Sequence, residues 1–116
     1  MPRYCLLGHV DPNHLSEYRE RHDAVWPELL QALADAGWRN YSLFLRADGL
    51  LIGYAEADDL SRAQELVART EVNARWQDSM RSLFADPEGS APDESWELVP
   101  EVFNLEDQLA RLDRPR

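Results

Sequence analysis

Tyr18 and His22 stand four residues apart in the segment SEYRERHDAVWPELL. On a helix that spacing puts both side chains on one face, one turn from each other, within reach of a single small ligand. Histidine titrates nearest neutral pH and both gives and takes a proton, while a phenol donates to or accepts from a sugar hydroxyl. The pair therefore suits proton transfer on a small ligand. A competing reading makes them ordinary half-buried residues of an amphipathic helix with satisfied hydrogen bonds, and on spacing alone that outcome is the commoner one.

Other residues extend the set. Tyr41, beside Asn40, opens a strand-like run near the expected end of a sheet, where a side chain can reach a cavity, although on its own it reads more often as a sheet-surface aromatic. Trp76 offers an indole face for the apolar side of a sugar, and Gln77 offers an amide for its hydroxyls. For Trp76 alone, a place in the core is an equally good reading. His9, His14 and His22 form no four-residue pair and no Cys cluster accompanies them, so no metal site is expected. Neither a phosphate-cradling glycine loop nor a nucleophile-elbow motif occurs, which leaves nucleotide chemistry and acyl transfer without support.

The elements that must hold these residues follow from periodicity and punctuation. Tyr4 to Val10 is an apolar run stopped by Asp11-Pro12-Asn13, and predicts a short central strand. From Asn13 to Ala36 the positions Leu15, Tyr18, His22, Trp26, Leu29, Leu30 and Leu33 recur at helical steps up to Gly37. Pro27 predicts a kink or break near Asp23 to Trp26. Asn40 to Ala47 and Leu50 to Ala57 flank Asp48-Gly49 as a hairpin. Asp58-Asp59 caps a helical stretch to Phe84, bent at Thr70.

Ala85 to Ser95 has a surface-loop composition, Leu98 to Leu105 reads as a last strand, and Pro100 places that strand at an edge or bulge. Glu106 to Arg116 reads as a short helix or a frayed tail. The resulting order, strand, helix, strand, strand, helix, strand, is the split βαβ pattern of a ferredoxin-like α+β domain. Helices on one sheet face leave the other to be covered, and a symmetric homodimer forming an α+β barrel is expected. One domain spans 1–106, with a charged tail over 107–116.

Composition narrows the partners. The 116 residues carry 22 acidic and 12 basic side chains, a net charge of −10, which phosphate backbones and anionic membranes repel. Neither nucleic acid nor membrane is an expected partner. A single cysteine, Cys5, excludes an internal disulfide, and no stretch reads as a membrane span or signal peptide. A soluble cytoplasmic protein is expected.

The run Glu17 to Leu29 (EYRERHDAVWPEL) resembles the signature of the L-rhamnose mutarotase family. Asn40-Tyr41, Arg75-Trp76 followed by Met80, Asp86-Pro87 and Glu101-Val102-Phe103 extend the similarity in the same order. The resemblance implies a dimeric ferredoxin-like barrel and cofactor-free interconversion of the α and β anomers of L-rhamnose or a related 6-deoxy sugar. It makes His22 the acid/base residue and places Tyr18, Tyr41 and Trp76 around the substrate. Two departures stand out. Gln77 occupies a position where many members carry a second tryptophan, and Asp23-Ala24 replaces a more helix-breaking pair, which implies a softer kink.

An aldopyranose changes anomer by opening its ring, with one proton leaving the anomeric hydroxyl and another reaching the ring oxygen. The expected division gives the ring oxygen to His22 and the anomeric hydroxyl to water or Tyr18. Two rival readings are a small dimeric-barrel monooxygenase or haem-degrading enzyme, and a non-catalytic sugar-binding dimer. The hydrophilic Tyr, His and Gln set argues against a flat apolar ligand.

Overall fold

The computed structural model describes residues 1–84 and 96–112. In chain order its elements are β1 (Arg3–His9), a 3-10 turn (Pro12–His14), α1 (Leu15–Asp23), α2 (Pro27–Ala36), β2 (Arg39–Leu45) and β3 (Leu50–Glu56). Then come α3 (Leu60–Ala68), α4 (Glu71–Met80), a second 3-10 turn (Arg81–Leu83), β4 (Glu97–Val99) and α5 (Leu105–Leu112). The four strands form one antiparallel sheet in the order β2-β3-β1-β4, so β1 is central and β4 lies at an edge. This α+β connectivity is that of a split βαβ unit.

Local chemistry explains the boundaries. Asp59 caps α3 by accepting from the Arg62 amide at 3.2 Å, and Thr70 caps α4 by accepting from the Asn73 amide at 3.2 Å. Thr70 thus marks the bend between the two helices. At the hairpin Gly49 adopts φ +96°, and a Cβ there would fall 2.2 Å from the Val10 carbonyl oxygen. Only glycine fits both the backbone angle and the space.

Two expectations need correction. The break before Pro27 is complete rather than soft, with α1 ending at Asp23 and α2 starting at Pro27. Trp26, extended at φ −53° and ψ 128°, has the backbone that a following proline favours. The last strand is also shorter than the apolar run Leu98 to Leu105 suggests. It covers Glu97–Val99 and stops at Pro100, while Leu105 begins α5. A proline has no N–H for the ladder, and the apolar residues beyond it are exposed, Val102 at 95%. The segment 85–95 lies outside the described residues, as does 113–116.

The sheet alternates sharply. Leu51, Gly53 and Ala55 of β3 and Leu6 and Gly8 of β1 are buried beneath the helices. Fully burying a leucine such as Leu6 or Leu51 contributes roughly 1.5–3 kcal/mol. On the opposite face the cross-strand rows Phe44, Ile52, Leu7, Glu97 and Ser42, Tyr54, Cys5, Val99 are only partly covered or exposed. Beneath the helices lie two clusters. One gathers Leu6, Trp38, Ala55, Leu60 and Val67, and the other gathers Val10, Tyr18, Leu29, Leu51, Val72, Trp76 and Met80. The second cluster is where the site forms.

Candidate active site

Tyr18 is the one buried residue of α1, and His22 follows it one turn later. Their rings stack with centroids 4.2 Å apart. Arg21, between them in sequence, donates to the Ser79 carbonyl and pairs with Glu17 at 2.9 Å, which ties α1 to the end of α4. From α4, Trp76 meets the His22 ring edge-on at 5.5 Å and the Trp26 ring at 5.1 Å. Because α1 stops before Trp26, that indole can turn onto α4 instead of continuing the helix face.

The His22 ring is oriented by its backbone. Nδ1 lies 2.9 Å from the Tyr18 carbonyl oxygen, which can only accept, so the neutral ring carries its proton on Nδ1 and its lone pair on Nε2. Burial pushes the imidazole below its ordinary value of 6.5, partly offset by the bond to Tyr18. Burial, helped by the nearby Tyr41 phenol, drives the Tyr18 hydroxyl far above its usual value. At neutral pH the site therefore pairs an uncharged imidazole with a phenol that donates and does not ionise.

Tyr41 reaches the site through a backbone irregularity. The β2–β3 register shifts between Arg39 and Ser42, and Asn40 takes the left-handed φ of 46° while its amide donates to Glu56 at 2.9 Å. Such a bulge re-aims the side chain beside it. Tyr41 turns inward against Trp38, ring centroids 4.6 Å apart.

Tyr18, His22, Tyr41, Trp76 and Gln77 all line a single cavity of about 690 Å³. That volume is within the range of small-molecule sites, and a wall of leucines from α2 and β2 with a few converging polar groups is their usual make-up. Trp76 proves to be a core residue as well, 7% exposed and wedged between two rings. It is thus both a core residue and part of the cavity lining. Among the described residues no group of three or more His, Cys, Asp or Glu side chains converges.

Sequence reasoning missed several lining residues. Asn73 and Gln64 project into the cavity from helices where an amide reads as surface. Trp96 borders it from the approach to β4, in space left by Gly8, whose Cβ would lie 3.2 Å from the Trp96 ring. The signal for Asn73 was available, since it lies one turn from Gln77 and next to the Val72, Trp76, Met80 stripe.

A sequence model of L-rhamnose mutarotases matches residues 3–105. The L-rhamnose mutarotase of Pectobacterium carotovorum subsp. carotovorum is 36% identical over 101 residues, covering 85% of this chain and 96% of the relative. That of Bacillus subtilis is 38% identical over 85 residues, covering 72% and 81%. Among solved structures, the crystal structure of an L-rhamnose mutarotase from Formosa agariphila superposes with a TM-score of 0.71 at 28% identity, covering 90% of this chain and 99% of that one. Since the match runs through all four strands and through the helices that frame the cavity, the chain belongs to the L-rhamnose mutarotase family.

Proposed function

We propose that this chain interconverts the α and β anomers of L-rhamnose by acid/base-assisted opening and closure of the pyranose ring. The observation that supports this most strongly is the His22 ring, fixed through Nδ1 on the Tyr18 carbonyl in a cavity it shares with Tyr41, Trp76 and Gln77. With the imidazole neutral, Nε2 is a base before it is an acid. It takes the proton of the anomeric hydroxyl as the bond from the anomeric carbon to the ring oxygen breaks, and the imidazolium then delivers that proton to the ring oxygen. Both oxygens are bonded to one carbon, so one group can serve them in turn. This reverses the order of roles that the sequence suggests for His22.

The aldehyde rotates about its bond to the next carbon and closes on either face by the same steps in reverse. Atoms and electrons balance without an oxidant or a cofactor. Tyr18, held as a phenol, donates to a sugar oxygen, while Tyr41 and Gln77 fix hydroxyls and Trp76 supports the His22 ring and the apolar side of the sugar.

The same reading makes the protein a cytoplasmic homodimer in which the outer sheet faces, carrying Phe44, Ile52, Leu7, Tyr54 and Val99, meet to close an α+β barrel. Residues 1–106 form the catalytic domain and 107–116 a charged appendage, a boundary that falls within α5, a helix with no buried residue. The test is saturation transfer between the two anomeric proton signals of L-rhamnose, with and without protein. Faster exchange is expected. Unchanged exchange, even with sugar bound, would leave a sugar-binding protein rather than an enzyme.

A further inference from the structure

Helix α4 places a polar residue where its packing calls for an apolar one. Val72, Trp76 and Met80 form its buried stripe, and Asn73 beside them is only 5% exposed, the one buried polar residue among those described. A buried amide persists in a fold when its hydrogen bonds are satisfied. Asn73 Oδ1 accepts from Nε2 of Gln77 at 3.2 Å, one turn along the helix, and both residues line the cavity. Asn73 is itself well anchored. Its backbone N–H donates to Thr70 Oγ1 at 3.2 Å, and the Thr70 hydroxyl donates to the Val67 carbonyl at 2.7 Å.

Gln77 has a long, flexible side chain whose amide can face either way. With one N–H held on Asn73, its carbonyl oxygen and second N–H take a fixed direction. A hydroxyl both donates and accepts, so it matches that pair of groups in a way that a methyl or methylene cannot. We propose that Asn73 is a positioning residue for sugar recognition, holding the Gln77 amide so that the pair reads one ring hydroxyl of the aldose. This deepens the mutarotase reading and rests on it. A site built to hydrogen-bond a hydroxyl discriminates against the analogue lacking it, because the site's own polar groups are then left unpaired.

The test measures anomer exchange on L-rhamnose and on its 2-deoxy, 3-deoxy and 4-deoxy analogues by saturation-transfer NMR, with thermal melting of each sample. The wild-type protein should lose rate on one analogue more than on the others. Asn73→Leu should lower the preference for L-rhamnose over that analogue by about 3- to 10-fold, the worth of one neutral hydrogen bond. Gln77→Leu should do the same, and the double variant should do no more than either alone. Asn73→Asp keeps an acceptor oxygen for Gln77 and should retain most of the preference. Asn73→Ser, too short to reach Gln77, replaces the leucine variant if that fails to fold.

Equal losses on all sugars that follow the melting temperature, effects that multiply in the double variant, or a wild type indifferent to the missing hydroxyl would each overturn the proposal while leaving the enzyme a mutarotase. No exchange by the wild type on L-rhamnose would overturn both.

Discussion

Replacing His22 by asparagine separates proton transfer from packing, because the asparagine amide nitrogen falls near Nδ1 and can still donate to the Tyr18 carbonyl, now 2.9 Å from Nδ1. Nε2 is lost. So is the stacking on Tyr18 at 4.2 Å and the edge contact with Trp76 at 5.5 Å, together worth about 1 kcal/mol. With an unfolding entropy of about 2.1 cal/mol/K per residue over this chain, that lowers the melting temperature by about 4 °C, which leaves the protein folded at 25 °C. Loss of a general acid/base slows catalysis by ~100-fold or more, equivalent to about 2.7 kcal/mol of barrier. Tyr18→Phe keeps the stack and removes one hydroxyl, so its cost is at most ~10-fold. Exchange between the anomeric signals of L-rhamnose, followed by saturation transfer alongside a melting curve, distinguishes the two variants. Near-wild-type exchange in a folded His22→Asn protein would refute the assignment, and so would a larger loss for Tyr18→Phe.

The remaining predictions concern pH, the hairpin and assembly. Burial holds His22 below its ordinary value of 6.5, so the unfolded chain binds this proton more tightly. The contribution of the neutral ring to stability is full above 6.5 and is lost as pH falls from there through the lower folded value. The catalysed rate should follow the same direction, holding from pH 7 to 6.5 and dropping only in more acid buffer, as a pH series with the uncatalysed rate subtracted would reveal. Gly49→Ala should destabilise by about 2 kcal/mol or more, lowering the melting temperature by at least about 8 °C, since the added carbon meets the Val10 carbonyl at a backbone angle that suits glycine. Light scattering at micromolar concentration should give the mass of a dimer, and Phe44→Lys on the outer face should give a monomer; a wild-type monomer would count against the barrel.

Much of this was legible in the sequence because each element carried its own punctuation. Asp48-Gly49 located the hairpin, Asp59 located a cap, Thr70 located the bend between two helices, and Pro27 located the break. Tyr18, His22, Tyr41, Trp76 and Gln77, which line the cavity, stood out by type, but spacing alone favoured a structural reading for most of them and the resemblance supplied the case for a site. What stayed hidden depends on contacts between distant segments. The tautomer of His22 follows from the direction of its ring and not from its position in the chain, and the inward turn of Tyr41 comes from a bulge that only strand pairing creates. The last strand was overextended because Val102 and Phe103 look like strand residues, yet Pro100 ends the ladder before them.

The complete break between α1 and α2 has a consequence for how this protein can change. Within a continuous helix, inserting one residue would rotate everything beyond it by about 100°, moving a core side chain such as Leu29 or Ala36 off its face. Here Ala24, Val25 and Trp26 lie between two independently started helices, and Pro27 begins the second whatever precedes it. A length change in that joint is absorbed as loop geometry, at a closure cost that grows only slowly with length. The helical registers of α1 and α2 are therefore set independently, even though Tyr18 and Leu29 pack into one core cluster. Substitutions at exposed α1 positions such as Ser16, Arg19 and Glu20 do not have to be compatible with the packing register of α2, so they can vary while Tyr18, Leu29, Leu33 and Ala36 keep the fold in place.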